Sequence, residues 1–148
     1  MKVLTSQQLS YIHKARVAKL ATTNEDSSIQ LVPVVFANSG ERIYFVVDLK
    51  KKKSDRLTRI RNISRTCKAS LLIDHYSEKW EDLSYLLLYC QATVIGPGEN
   101  PKEKYLAAKK LKEKYPQYSE GPYFPEKVNG AVFVRLRPER AIFWQNLR

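Results

Sequence analysis

The chain has 148 residues, of which 43% are hydrophobic and 11% aromatic, the size and make-up of one folded domain rather than a disordered segment. No apolar run reaches the roughly 20 residues of a membrane helix, and the polar MKVLTSQQLS start lacks the apolar core of a secretory signal, so a cytoplasmic location is expected. The net charge of +11 lies in two places: residues 50 to 68 carry nine Lys/Arg against Asp55, and residues 102 to 114 six lysines against Glu103 and Glu113. Such patches attract phosphates, whether on nucleic acid, a membrane or a small cofactor.

In chain order, Thr5 and Gln8 have the spacing of a capping box, with Leu4 and Leu9 as a hydrophobic staple, so a helix is predicted there. Val17 to Thr22 reads as a short strand, and a polar turn leads into the apolar run Ile29 to Ala37, which Pro33 interrupts. Proline removes a ladder donor and so belongs at a sheet edge or bulge. After the turn at Asn38 to Gly40, Ile43 to Val47 is expected to form a hairpin with the preceding run.

Lys50 to Lys53 then lead into a helix with Ser54 as N-cap, a buried stripe of Leu57, Ile60 and Ile63, and an exposed face of Arg56, Arg59 and Arg65. Strands are predicted at Ala69 to Asp74 and Leu83 to Ile95, and a helix from Asn100 and Pro101 to before Pro116. A loop rich in proline, glycine and tyrosine follows. Two closing strands, Ala131 to Leu136 and Ala141 to Trp144, flank Pro138. This order predicts a mainly β fold with α additions, an antiparallel barrel rather than alternating βαβ units, in a single domain over 1–148.

The sequence has neither G-x-G-x-x-G nor a P-loop, no nucleophile elbow, and no C-x-x-C among its two cysteines, Cys67 and Cys90. Its two histidines, His13 and His75, have no metal-ligand spacing. With no side-chain catalyst in evidence, an enzymatic reading requires a bound cofactor to carry the reaction. The lysines before Ser54 suit that reading: ammonium groups, a hydroxyl and the free N–H groups of a helix start make a phosphate site. A run of solvated charges is the competing reading of the same residues.

The stretches ARVAKLATT (15 to 23), LVPVVFANSGERIYFVVDLKKKK (31 to 53), RLTRIRNI (56 to 63), ASLLIDHYSEKWEDL (69 to 83) and RLRPERAIFW (135 to 144) resemble the pyridoxamine 5′-phosphate oxidase-like split β-barrel family. The likeness is to its FMN- or deazaflavin-binding branch. It implies an antiparallel split β-barrel of the FMN-binding type, a homodimer with the cofactor in grooves between subunits, and a flavin- or deazaflavin-dependent oxidoreductase.

Carried over by position, the resemblance assigns Lys50, Lys52, Lys53 and Ser54 to the phosphate. It places Val32, Pro33 and Val34 along the ring edge, Val47 and Asp48 beside the ring or ribityl chain, and Trp80 near the partner's groove. Lys51 stands where the branch often has proline. The chain also departs from the branch at Asp26-Ser27, at Gln30, and at Leu87 and Cys90, where an arginine and a glycine are usual. The loss of that arginine removes a second anionic contact. A coenzyme carrier without catalysis fits the same residues, and a nucleic-acid-binding protein using both basic patches is the alternative from another class. Haem binding, which some relatives of this barrel show, would have only His13 and His75 as candidate histidine ligands.

Overall fold

The computed structural model describes residues 2–47 and 54–146, with the side chains of the second helix described from residue 58 onward. The chain runs through α1 (Ser6–Lys14), β1 (Ala18–Thr23), β2 (Ile29–Val34), β3 (Ala37–Ser39), β4 (Arg42–Val47), α2 (Ser54–Thr66), β5 (Lys68–His75) and β6 (Ser84–Ile95). It then forms α3 (Pro101–Lys114), α4 (Pro116–Glu120) and β7 (Val132–Gln145). The strands make one sheet in the order β2-β1-β5-β6-β7-β4-β3, every described pairing antiparallel, and the sheet curls into a half-barrel. This is the mainly β fold with helical additions that the sequence predicts.

The start of the chain follows its local signals. Thr5 Oγ1 accepts from the Gln8 amide at 3.1 Å and Gln8 Oε1 accepts from the Thr5 amide at 3.0 Å, closing the capping box. Leu4 and Ile12 are buried beneath α1. The Glu41 carboxylate accepts from the amides of Val3 and Leu4, at 2.9 and 2.6 Å, and so ties this segment to the β3–β4 turn. Gly40 in that turn has φ +58°, a conformation that costs other residues more.

Two hydrophobic clusters lie on opposite faces of the sheet. The larger fills the barrel with Leu20, Phe36, Ile43, Phe45, Leu71, Leu86, Leu88, Val134 and their neighbours. The smaller gathers Tyr44, Ile95 and Phe133 beneath Ala107, Ala108, Leu111 and Tyr115 of α3 and its end. Those α3 positions recur at helical spacing and form one apolar stripe. Strand β4 therefore has both faces covered, which explains why IYFVV runs unbroken instead of alternating.

Three expectations need correction. The run 29 to 37 is two strands, because the chain leaves the ladder after Val34: β2 pairs with β1, and β4 makes its hairpin with β3 alone. The two closing strands are one long strand, β7. Cys90 faces Pro138 while Tyr89 faces Arg140, so Glu139 is accommodated as a bulge, and Pro138 bends the strand without ending it. The proline- and tyrosine-rich loop contains the short helix α4.

Pro33 does lie on an edge strand, paired with Lys19 of β1 on one side. Helix α2 begins at Ser54 itself. It is fastened to β1 by buried Asn62, whose Nδ2 donates to Thr22 Oγ1 at 3.1 Å and to Asn24 Oδ1 at 2.8 Å.

Candidate functional site

The curl of the sheet leaves a cavity of about 640 Å³, within the roughly 300–1,000 Å³ range of small-molecule sites. One wall is the end of β2 and the corner after it, Pro33, Val34 and Val35. A second is Phe45, Val46 and Val47 of β4, and a third is Tyr115, Gln117, Tyr118, Tyr123 and Pro125 around α4. Val17, just before β1, and Arg59 of α2 complete it, and Arg59 is the one charged side chain among the described lining residues.

Aliphatic walls, an aromatic wall and a single cation suit a flat, conjugated molecule that carries negative charge or carbonyl oxygens at one end. The aromatic wall is rigidly built. Tyr118 meets Tyr115 edge-on with centroids 5.9 Å apart and Phe124 at 4.9 Å, and Phe124 leans on the fully buried Phe133 at 6.4 Å.

The structure thus brings together three of the residues expected at the ring, Pro33, Val34 and Val47. Val32, just before them in β2, packs its side chain against the barrel core. Asp48, Lys50, Lys52 and Lys53 lie outside the described residues, as does the side chain of Ser54. The segment that holds them joins Val47, a pocket residue, to the first turn of α2, about 7.5 Å along the helix from Arg59. Trp80 stands on a single 3-10 turn, Trp80–Asp82, and is exposed, with no part in this cavity.

Two contributors escape a reading of the sequence alone. Arg59 falls on the face of α2 expected to be exposed, yet it lines the pocket. The tyrosines of 115 to 123 have no local signal that separates a pocket wall from core packing. Arg65, from the same expected face, does reach outward, donating to the Thr23 carbonyl and lying 4.0 Å from Glu25.

The second basic stretch divides: Lys102, Lys109 and Lys112 are exposed, while Lys104 and Lys114 are drawn into the fold. Lys104 is fully buried, and its ammonium donates to the carbonyls of Gly96 and of Asn129, the latter at 2.9 Å. Burial lowers its pKa. The Lys114 ammonium sits 3.9 Å from the centre of the Phe36 ring and 3.4 Å from the Ile12 carbonyl. Desolvation, with Arg16 nearby, brings its pKa down to about 8. Beside them, Glu103 holds Arg135 at 2.7 Å and accepts from the Tyr44 hydroxyl at 2.7 Å, an arrangement that pins α3 to the sheet.

Neither His13 nor His75 lines the cavity. Among the described residues no group of three His, Cys, Asp or Glu could hold a metal ion, and no helix is long and apolar enough to cross a membrane.

A seven-stranded antiparallel sheet curled around a core, with helices on its outside and a pocket beside its edge strand, is a split β-barrel. The sequence profile of pyridoxamine 5′-phosphate oxidase matches residues 4–145, and the chain belongs to that family. Among solved structures, a conserved hypothetical protein of Mycobacterium tuberculosis is similar at 20% identity and a TM-score of 0.75, over 97% of this chain and 86% of that one. The haem storage protein HutZ of Vibrio cholerae has a TM-score of 0.68 at 12% identity, over 97% and 95% of the two chains. An F420 reductase has a TM-score of 0.62 at 20% identity, over 90% and 94%. No curated protein sequence matches the chain.

Proposed function

We propose that the protein is an oxidoreductase that holds FMN or the 5-deazaflavin coenzyme in the 640 Å³ pocket, as a homodimer. The observation that carries this reading is the convergence of Pro33, Val34, Val47 and Arg59 on one cavity. These come from two strands and a helix, and three of the four are residues that the family resemblance assigns to the coenzyme.

When bound, such a coenzyme accepts or donates a hydride at its ring. The residues around it bind and orient. The valines of β2 and β4 exclude water from the ring face, and the edge strand leaves backbone groups beside Pro33 to meet the ring's polar rim. Arg59 places positive charge at the end nearest α2. Lys50, Lys52, Lys53 and Ser54 would hold the phosphate where the chain enters that helix.

The proposed dimer face is the outer surface of the sheet. The registers align half-buried Leu72 and Leu87 with exposed Ile142 across β5, β6 and β7, and Leu31 of β2 and Trp144 of β7 are exposed on the same side, beside the Lys19–Asp74 ion pair. Exposed apolar residues grouped on one face support this choice of interface.

Fluorescence titration with each coenzyme tests the reading. Binding in the micromolar range or tighter is expected for at least one, and no change with either would overturn it. Light scattering should show a dimer. The nucleic-acid reading keeps only part of its second patch, since Lys104 is buried and Lys114 packs on Phe36 while Lys102, Lys109 and Lys112 are exposed.

A further inference from the structure

Tyr115 follows the last residue of α3 and is buried, with its ring in the pocket wall. Its hydroxyl joins two distant parts of the chain. It donates to the Arg16 carbonyl at 2.9 Å and accepts from the Phe36 amide at 3.2 Å. Arg16 immediately precedes Val17, and Phe36 immediately follows Val34 and Val35. All three valines line the pocket.

The ring itself is held on several sides. The Arg16 guanidinium lies 4.7 Å from its centre, the Lys114 ammonium 5.5 Å, and Tyr118 packs edge-on. Phe36 is at the corner where the chain has left the β2 ladder and not yet entered β3, so its buried amide relies on the tyrosine hydroxyl.

We infer that Tyr115 is a positioning residue for the coenzyme, whose hydroxyl sets the spacing between the Val17 wall and the Val34–Val35 wall. This rests on the pocket being the coenzyme's site, as proposed above. One hydroxyl that bridges two backbone segments fixes their separation to within a hydrogen bond's tolerance, and a site held in its bound shape loses less on binding. Without it the Phe36 amide must find another partner, and the corner that carries Val35 shifts to supply one.

The test compares Tyr115→Phe with Tyr11→Phe. Tyr11 is also partly buried and also loses a side-chain hydrogen bond, 2.8 Å to Ser84, but does not line the pocket. Titrated with the coenzyme that the unaltered protein binds, Tyr115→Phe should weaken binding about tenfold while Tyr11→Phe stays within about twofold. Equal affinity of Tyr115→Phe and the unaltered protein overturns the inference, as does an equal loss in both variants.

Hydrogen exchange on the unaltered protein gives an answer even where Tyr115→Phe does not fold. The Phe36 amide should exchange slowly, and more slowly still with coenzyme bound; fast exchange overturns the clamp. If the unaltered protein binds neither coenzyme, the functional proposal fails, while the exchange of Phe36 still tells whether the clamp exists.

Discussion

The two lysine- and arginine-rich stretches look alike in composition and differ in what the fold does with them. In α3 three of the six lysines are tied into the architecture. Lys104 bonds two carbonyls from inside the molecule, Lys114 covers an aromatic ring, and Lys112 lies 4.9 Å from the centre of the Phe124 ring. Around α2, Arg59 instead faces the cavity and Arg65 the β1–β2 turn, while Arg61 is exposed and donates to Thr58 of its own helix. A lysine count therefore measures affinity for phosphate only where the stems cannot bury themselves. On α3 the apolar stripe at 107, 108 and 111 takes Lys104 inward with it, while the neighbouring Lys109 and Lys112 stay exposed.

The contrast can be broken most sharply at Lys104. Lys104→Ala leaves two carbonyls without their donor and opens a void, so a loss of about 2–4 kcal/mol is expected in urea unfolding. A loss below about 1 kcal/mol would mean that the ammonium holds nothing.

Next in size is Lys53→Ala, which should weaken coenzyme binding by about 1–3 kcal/mol, while Lys109→Ala with Lys110→Ala leaves it nearly unchanged. Equal losses at both stretches for a short DNA duplex, with no coenzyme binding at all, would replace the coenzyme reading by the nucleic-acid one.

A smaller effect should appear at Lys114. Its folded pKa of about 8 lies below the ordinary 10.5, so between these values the unfolded chain holds a proton that the folded chain has released. Stability from this group must therefore rise with pH across that window, by on the order of 1 kcal/mol for an amine only half-buried. Lys114→Met should lack that rise when unfolding midpoints are compared from pH 7.5 to 10.5.

The last and smallest effect concerns the end of α2, where Cys67 takes φ +57° in the position that usually holds glycine. Cys67→Gly should raise stability by about 0.5–1 kcal/mol, and a loss would show that the cysteine side chain holds the corner.

Much of the fold was legible wherever the controlling interaction is local. The capping box at Thr5 and Gln8, the edge position of Pro33 and the helix opened by Pro101 each follow from two or three neighbouring residues. The departures are non-local. Nothing in VPVVFAN marks Val35 and Phe36 as a corner, because the partner that the Phe36 amide meets there is the hydroxyl of Tyr115, far along the sequence. Pro138 looks like a strand end, but a bulge at Glu139 carries β7 past it, and beyond Leu136 only β6 pairs with that strand among the described residues.

The candidate site divides in the same way. The resemblance supplied Pro33, Val34 and Val47, all now in one cavity. Arg59 and the tyrosine wall depend on which elements the barrel brings opposite α2, and no spacing along the chain encodes that.

The corner at Val35 and Phe36 also bears on how the molecule avoids sticking to itself. Strands β2 and β3 are the two edges of the sheet, yet they are consecutive in the chain and separated by only those two residues. The sheet's two edges are thereby tethered to each other by a covalent joint. Each is short, six and three residues, and one carries a proline. Free edges recruit strands from other chains during folding, and short, interrupted edges resist this. The seam that leaves room for a ligand is on this account also the place where the barrel is guarded against edge-to-edge aggregation.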